Sequence, residues 1–199
     1  TGTLDLTNDA GGNMGAIDAN MLLTINNAGT ITGNITSGAG DDSVTNTGTI
    51  TGDLTLGSGD DSVSNSGTID GSINFSTATT SDSLVNNTGA SVTGSVIGTT
   101  FSVDNNGTGS IGTVGGTTST IDNEGTITNV TSTTTTVNTN TGTITNIEAG
   151  TVNLTNDEGG SVGTIDAATL LTINNAGTIT GSVTAAAGDD TITNTGTIS

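Results

Sequence analysis

The chain has 199 residues, including 32 glycines, no proline and no cysteine, and aromatic residues make up only 1%. This composition supplies too few large apolar side chains for the core of a compact globular domain of this length. Lys, Arg and His are absent whereas Asp and Glu number 19, so the formal net charge is −19. We therefore expect no nucleic-acid binding, which depends on cationic side chains, and no attraction to anionic membranes.

A long repeat begins at the first residues of the chain. Residues 1–51 and 149–199 are identical at 35 of 51 positions, so the chain is slightly longer than one tandem repeat of 148 residues. The octapeptide INNAGTIT at 25–32, for example, returns unchanged at 173–180. Repetition of this kind is typical of solenoid proteins and predicts one continuous solenoid over residues 1–199 rather than a catalytic domain.

A shorter repeat, with a mean length of 18.5 residues, lies inside the long one. Each short repeat carries one apolar anchor and one asparagine, and this regular spacing argues against a disordered tail. The anchors are Met14, Ile31, Ile50, Ile69, Val92, Ile111, Ile127, Ile144, Val162, Ile179 and Ile198. The asparagines are Asn8, Asn27, Asn46, Asn65, Asn87, Asn105, Asn123, Asn140, Asn156, Asn175 and Asn194. We expect the asparagines to stack inside a turn as a hydrogen-bonded ladder.

Within a short repeat the hydrophobic period is two. In residues 41–56, apolar or small residues alternate with polar, mostly hydroxyl-bearing ones, as in strands that cover a core with one face. The alternation changes phase at GSGDD (57–61), which indicates a turn. Two strands and two turns per repeat predict an all-β fold: a parallel β-solenoid, or β-helix, of about eleven coils. We expect a flattened cross-section of two sheets and a right-handed coil.

The coils are expected to be of two widths. Where the second apolar residue follows the anchor after four residues, as in Ile31 and Ile35, the step to the next coil is 19 to 23 residues. Where it follows after three, as in Ile111 and Val114, the step is 16 to 18 residues and requires a bend or bulge. This predicts wide coils over about 31–110 and 179–199, and narrow coils over about 1–30 and 111–178.

The acidic corners GAGDDSV (38–44), GSGDDSV (57–63) and AAGDDTI (186–192) form the sharpest motif. They resemble the G-x-G-x-D-x-U half of the calcium-binding repeat of RTX β-rolls. The resemblance implies Ca²⁺ ligands at Asp42 and Asp61 and a weaker match at Asp190. With their neighbours, the candidate calcium-binding residues are Asp41, Asp42, Asp60, Asp61, Asp189 and Asp190. Stacked carboxylates repel one another, and Ca²⁺ binds six to eight oxygens. The alternative is a solvated acidic turn that needs only diffuse counterions.

The wider pattern N-x-G-T-I-x-G…G-D-D-x-V-x-N-x-G-T-I resembles repeats in the passenger regions of large bacterial autotransporter adhesins. This resemblance implies a secreted stalk or filament at the bacterial cell surface, used for adhesion or for building an extracellular matrix or fibre. The implied partners are other copies of the chain, joined end to end or laterally, or ligands on a cell surface or substratum. The absence of cysteine fits a secreted protein that avoids disulfides.

A binding module is the alternative function. Outward threonines flank the inward isoleucine, as in Thr30-Ile31-Thr32, and stacked ranks of them resemble ice-binding faces; glycans are a second candidate ligand. Interruptions such as Asp70 weigh against this, and threonine also suits any exposed strand.

Neither catalysis nor membrane insertion is expected. The chain has no His, Cys, Lys or Tyr to activate a nucleophile, so we expect no enzymatic activity and no cofactor other than Ca²⁺. No apolar run approaches the ~18 residues that a membrane-spanning helix needs.

Overall fold

A computed structural model describes residues 2–75 and 81–199 of the chain. Its regular secondary structure in these residues is entirely β-strand, and all the strand pairings recorded there are parallel. The chain therefore coils around one axis, and the predicted parallel β-solenoid is confirmed. The described residues include no helix that is long and apolar enough to span a membrane.

Short strands form the first coils and the last ones, whereas long strands form the coils between them. The first short strands are β1 (Thr3–Asn8), β2 (Asn13–Met14), β3 (Ile17–Asp18), β4 (Leu22–Asn27), β5 (Thr30–Ile31), β6 (Ile35–Thr36), β7 (Ser43–Asn46), β8 (Thr49–Ile50), β9 (Leu54–Thr55), β10 (Ser62–Asn65), β11 (Thr68–Ile69), β12 (Ile73–Asn74) and β13 (Asp82–Asn86). The long strands are β14 (Ser91–Asn105), β15 (Ser110–Asn123), β16 (Thr126–Asn140), β17 (Thr143–Asn156) and β18 (Ser161–Asn175). The last strands are β19 (Thr178–Ile179), β20 (Val183–Ala185), β21 (Thr191–Asn194) and β22 (Thr197–Ile198).

Each short-stranded coil contains three β-segments rather than two. The coil built from β7, β8 and β9 pairs in register with β4, β5 and β6 on one side and with β10, β11 and β12 on the other. The sequence predicted two strands per repeat, and residues 41–56 alternate in phase throughout. Breaks at 47–48 and 51–53, each containing a glycine, divide these residues into three β-segments without changing which side chains face inward.

The core is a stack of like side chains along the axis. The anchor isoleucines and valines from Ile31 to Ile179 are buried, and register pairs place each one on the next, as with Ile31, Ile50 and Ile69. Parallel strands place neighbouring coils ~4.8 Å apart, so stacked side chains of the same shape pack without gaps. A thin core of this kind needs few large side chains, which accounts for the low aromatic content.

A register shift marks the junction between coils of different width. On β14, two residues separate Val92 from Ser95, whereas on β15 one residue separates their partners Ile111 and Thr113. The wide pattern of β14 is therefore joined to the narrower pattern of β15 through a bulge, which absorbs the extra residue locally.

Candidate functional site

The asparagines form a continuous ladder through the solenoid. The side-chain Nδ2 of each donates to the Oδ1 of the asparagine in the following coil, over 2.7 to 3.0 Å. The members are Asn8, Asn27, Asn46, Asn65, Asn86, Asn105, Asn123, Asn140, Asn156, Asn175 and Asn194. All the amides point in the same direction along the axis, and the side chains from Asn8 to Asn175 are buried. The second Nδ2 hydrogen is directed at backbone carbonyls of the turn, such as Gly29 O beside Asn27.

One predicted member of the ladder is wrong. Asn86, and not Asn87, occupies the ladder position, while Asn87 is half-buried and donates to Ser66 Oγ over 2.9 Å. The turn after Asn86 is two residues longer than the turn after Asn65. This longer turn shifted the alignment of the sequence repeats by one position, so that Asn87 was assigned to the ladder. The spacing of six residues from Asn8 to Met14 is the signal that would have identified this longer turn.

The acidic corners depend on glycines with positive φ. Gly40 and Gly59, which directly precede the paired aspartates, have φ of 123° and 147°. L-residues with a side chain rarely adopt this conformation. A Cβ on Gly59 would also lie 2.2 Å from the carbonyl oxygen of Gly40 in the preceding coil. Glycine therefore fixes the bend that begins each Asp-Asp pair.

The two aspartates of each corner point to opposite sides of the strand. Asp42 and Asp61 face the core and are each 1% exposed, whereas Asp41 and Asp60 are exposed to solvent. Consecutive residues of an extended chain alternate between the two faces, so one carboxylate of each pair is necessarily inward. The structure thus separates the candidate calcium-binding residues into an inward and an outward set.

The first Asp-Asp pair forms hydrogen bonds with the coils on both sides of it. Asp41 Oδ1 accepts a hydrogen bond from the backbone N–H of Asp60 in the following coil over 2.9 Å. Asp42 Oδ1 accepts one from the backbone N–H of Leu23 in the preceding coil over 2.7 Å. At these corners, carboxylate oxygens take the place of backbone carbonyls as acceptors for neighbouring coils. The acidic corner therefore has a structural role that its sequence did not reveal.

The third corner repeats this contact 148 residues later. Asp190 Oδ1 accepts from the backbone N–H of Leu171 over 2.9 Å, which matches the contact between Asp42 and Leu23. Asp189 and Asp190 are both exposed. The long repeat of the sequence is thus also a repeat of local geometry.

Sequence analysis missed one member of the inward set. Asp82 lies in the coil after Asp61, is 1% exposed, and accepts a hydrogen bond from the backbone N–H of Asp61 over 3.0 Å. No Gly-Asp-Asp motif marks it. The alternation of inward residues would have identified it. Asp82, Leu84 and Asn86 face inward in the same order as Asp61, Val63 and Asn65.

Burial changes the acidity of Asp61, the middle member of the inward set. The pKa of Asp61 is raised from 3.8 to about 6, chiefly by desolvation, and the nearby carboxylates of Asp42, Asp82 and Asp41 contribute to this rise. The hydrogen bond from the backbone of Asp42 acts in the opposite direction but does not outweigh burial. Within the described residues, the Oδ2 atoms of Asp42 and Asp61 are buried and have no hydrogen-bond partner.

Calcium binding at the corners stays a prediction. Across residues 2–75 and 81–199, no three or more His, Cys, Asp or Glu side chains are grouped so that they could hold a metal ion. Ca²⁺ needs six to eight oxygen ligands, and the inward and outward members of a pair lie on opposite faces of the strand.

A rank of hydroxyl side chains runs along the second β-segment of every coil after the first, in which Asn13 occupies the position. Its members stack in register along the solenoid without interruption: Thr30, Thr49, Thr68, Ser91, Ser110, Thr126, Thr143, Ser161, Thr178 and Thr197. The parallel rank two residues later is interrupted by Asp70, Gly112 and Gly163. Only one of the two expected threonine ranks is therefore continuous.

Comparison with known proteins gave no relative. No protein-family model matches the chain, and neither curated proteins nor solved structures include a significant match. The site is therefore interpreted from its own geometry.

Proposed function

We propose that the chain is a stalk or filament segment of a long, secreted bacterial surface protein, used for adhesion or for building an extracellular fibre. The observation that carries the proposal is the unbroken asparagine ladder from Asn8 to Asn194. A ladder with one donor and one acceptor per coil can be extended by any further coil of the same kind. Solenoids gain stability from contacts between neighbouring repeats, so length is added without a new core.

The agreement between the long repeat and the local geometry supports the same proposal. The contact of Leu23 with Asp42 returns at Leu171 and Asp190, so residue 199 stands at the same phase of the coil as residue 51. A copy of residues 52–199 placed after residue 199 would continue the register. The proposed extracellular location and adhesion rest on the resemblance of the repeats to adhesin passenger regions.

Lengthening the chain tests the stalk. One or two further copies of residues 52–199 are added after residue 199, and the longest dimension is measured by small-angle X-ray scattering. Each copy adds eight coils and should lengthen the rod by about 38 Å, at ~4.8 Å per coil. A matched control appends residues 61–199, which begin at the wrong phase, so the added coils should be joined to the first copy by a break in the rod rather than by continuous stacking. A longest dimension that does not grow with in-phase copies would contradict the proposal.

The surface location needs a separate measurement. Antibodies raised against the folded chain should label intact cells of the source bacterium. Labelling that requires permeabilised cells would place the protein inside and rule out an adhesive stalk.

A binding module is the second candidate, favoured by the uninterrupted hydroxyl rank that includes Thr49 and Thr68. Inhibition of ice recrystallisation and binding to glycan arrays test it. A Thr49→Val/Thr68→Val variant should lose such activity while keeping the fold, because valine preserves the β-branched shape.

A further inference from the structure

Three aspartates form a column inside the solenoid. Asp42, Asp61 and Asp82 occupy the same inward position in three consecutive coils, and each is 1% exposed. Apolar side chains close the column at both ends, with Leu23 in the coil before Asp42 and Phe101 in the coil after Asp82. The carboxyl groups are therefore separated from solvent along the axis as well as across it.

Only one oxygen of Asp42 and one of Asp61 has a donor. Their Oδ1 atoms accept from Leu23 N and Asp42 N over 2.7 and 2.9 Å. Their Oδ2 atoms are buried without a hydrogen-bond partner in the described part of the chain. Two stacked, ionised carboxylates with undonated oxygens in an apolar core would be strongly destabilising. The whole sequence has no Lys, Arg or His to compensate this charge.

A proton satisfies these oxygens with less rearrangement than a metal ion. The residues that continue the inward rows are Val44, Val63 and Leu84, which offer no oxygen ligands from their side chains. A desolvated divalent cation would need several more oxygens than the column supplies. A single proton on one carboxyl group instead adds an O–H donor to a column whose side chains otherwise offer only acceptors.

We infer that the Asp42–Asp61–Asp82 column holds at least one proton in the folded protein, and that this part of the solenoid is stabilised by acid and loosened as the pH rises.

All the charged groups around the column favour its protonated form. On the elements packed against it, the other titratable side chains are the outward carboxylates Asp41, Asp53, Asp60, Asp70 and Asp104. Negative charges favour the protonated form of a carboxyl group, and no cation is present to oppose them. The pKa of Asp61, raised to about 6 chiefly by burial, agrees with this arrangement.

The sign of the pH effect follows from this raised pKa. An aspartate in the unfolded chain titrates near 3.8, so between about pH 4 and pH 6 the folded state binds more protons than the unfolded state. The free energy of unfolding therefore falls as the pH rises through this window. The stabilisation is complete below about pH 4 and is lost above about pH 6.

Thermal unfolding of the 199-residue chain between pH 4 and pH 8, at constant ionic strength and with a chelator, tests the inference. The melting temperature should fall as the pH rises towards 7. Asp61→Asn should remove most of this fall, because its Oδ1 keeps the bond from Asp42 N and its Nδ2 donates to a neighbouring oxygen without needing a proton. Asp60→Asn is the matched control, since it removes the same charge at an exposed position and should leave most of the fall in place.

Infrared spectroscopy gives a second readout that does not depend on the variants folding. The carbonyl band of a protonated carboxylic acid should be present in wild type at pH 5 and disappear by pH 8. A wild-type spectrum without this band at pH 5 would overturn the inference, and so would an Asp60→Asn profile as flat as that of Asp61→Asn. If the profile in chelator is flat and Ca²⁺ raises the melting temperature of wild type but not of Asp61→Asn, the column binds a cation and the inference fails.

Discussion

The Nδ2 of Asn27 donates to the Oδ1 of Asn46 over 2.7 Å, inside a turn where both side chains are buried. Each amide between the two ends of the ladder is thereby bonded to two others, and the loss of one leaves a donor on one side and an acceptor on the other. This makes the ladder a sensitive point of the solenoid, although every contact in it is a single hydrogen bond.

We expect Asn27→Ala to lower the free energy of unfolding by about 1–3 kcal/mol, because the buried amides of Asn8 and Asn46 lose a partner. Asn26→Ala is the matched control, since Asn26 is the preceding residue and faces solvent. Chemical denaturation followed by circular dichroism measures both variants. Equal denaturation midpoints for the two variants would show that a ladder asparagine contributes no more stability than an exposed asparagine of the same strand.

Close approach of the coils at Gly48 predicts a second weak point. A Cβ at this position would lie 2.1 Å from the carbonyl oxygen of Gly29 in the preceding coil, which is backbone and cannot rotate away. Gly48→Ala should destabilise the protein by about 1–3 kcal/mol, the range found for overpacked cores. Gly15→Ala is the control, because a Cβ there meets no atom within 4 Å. A Gly48→Ala variant as stable as Gly15→Ala would mean that the coils can separate without cost.

Phe101 closes the aspartate column and packs near Phe75, with ring centroids 6.0 Å apart. Phe101→Ala should cost about 3–5 kcal/mol through the cavity it leaves. Water entering that cavity would reach Asp82 and its neighbours, so the pH dependence of stability should also become weaker. Phe101→Leu, which keeps most of the apolar volume, is the control for the second effect. Thermal melting at pH 5 and pH 7 measures both, and an unchanged pH dependence in Phe101→Ala would show that Phe101 does not keep water out of the column.

The sequence alone determined the solenoid and most of its register. In a parallel stack, the step between neighbouring coils equals the sequence repeat, so the spacing of Ile31, Ile50 and Ile69 directly predicts which residues lie on top of one another. The alternation of apolar and hydroxyl residues then identifies the inward face, since side chains of a strand alternate with period two. These signals are local and repeat many times, which makes them strong although aromatic residues are few.

Only the tertiary structure shows how deeply the carboxylates of each corner are buried and which of their oxygens have hydrogen-bond donors. The alternation of residues along the strand places Asp42 and Asp61 on the inward face, but only the stacked coils show that both are 1% exposed. Asp82 belongs to the aspartate column although no Gly-Asp-Asp motif precedes it. Asn86, and not Asn87, belongs to the asparagine ladder because a longer turn lies between two strands whose register is kept. Burial and the supply of donors depend on the coils above and below, so only stacking could show that two carboxylate oxygens are left in the core without a partner.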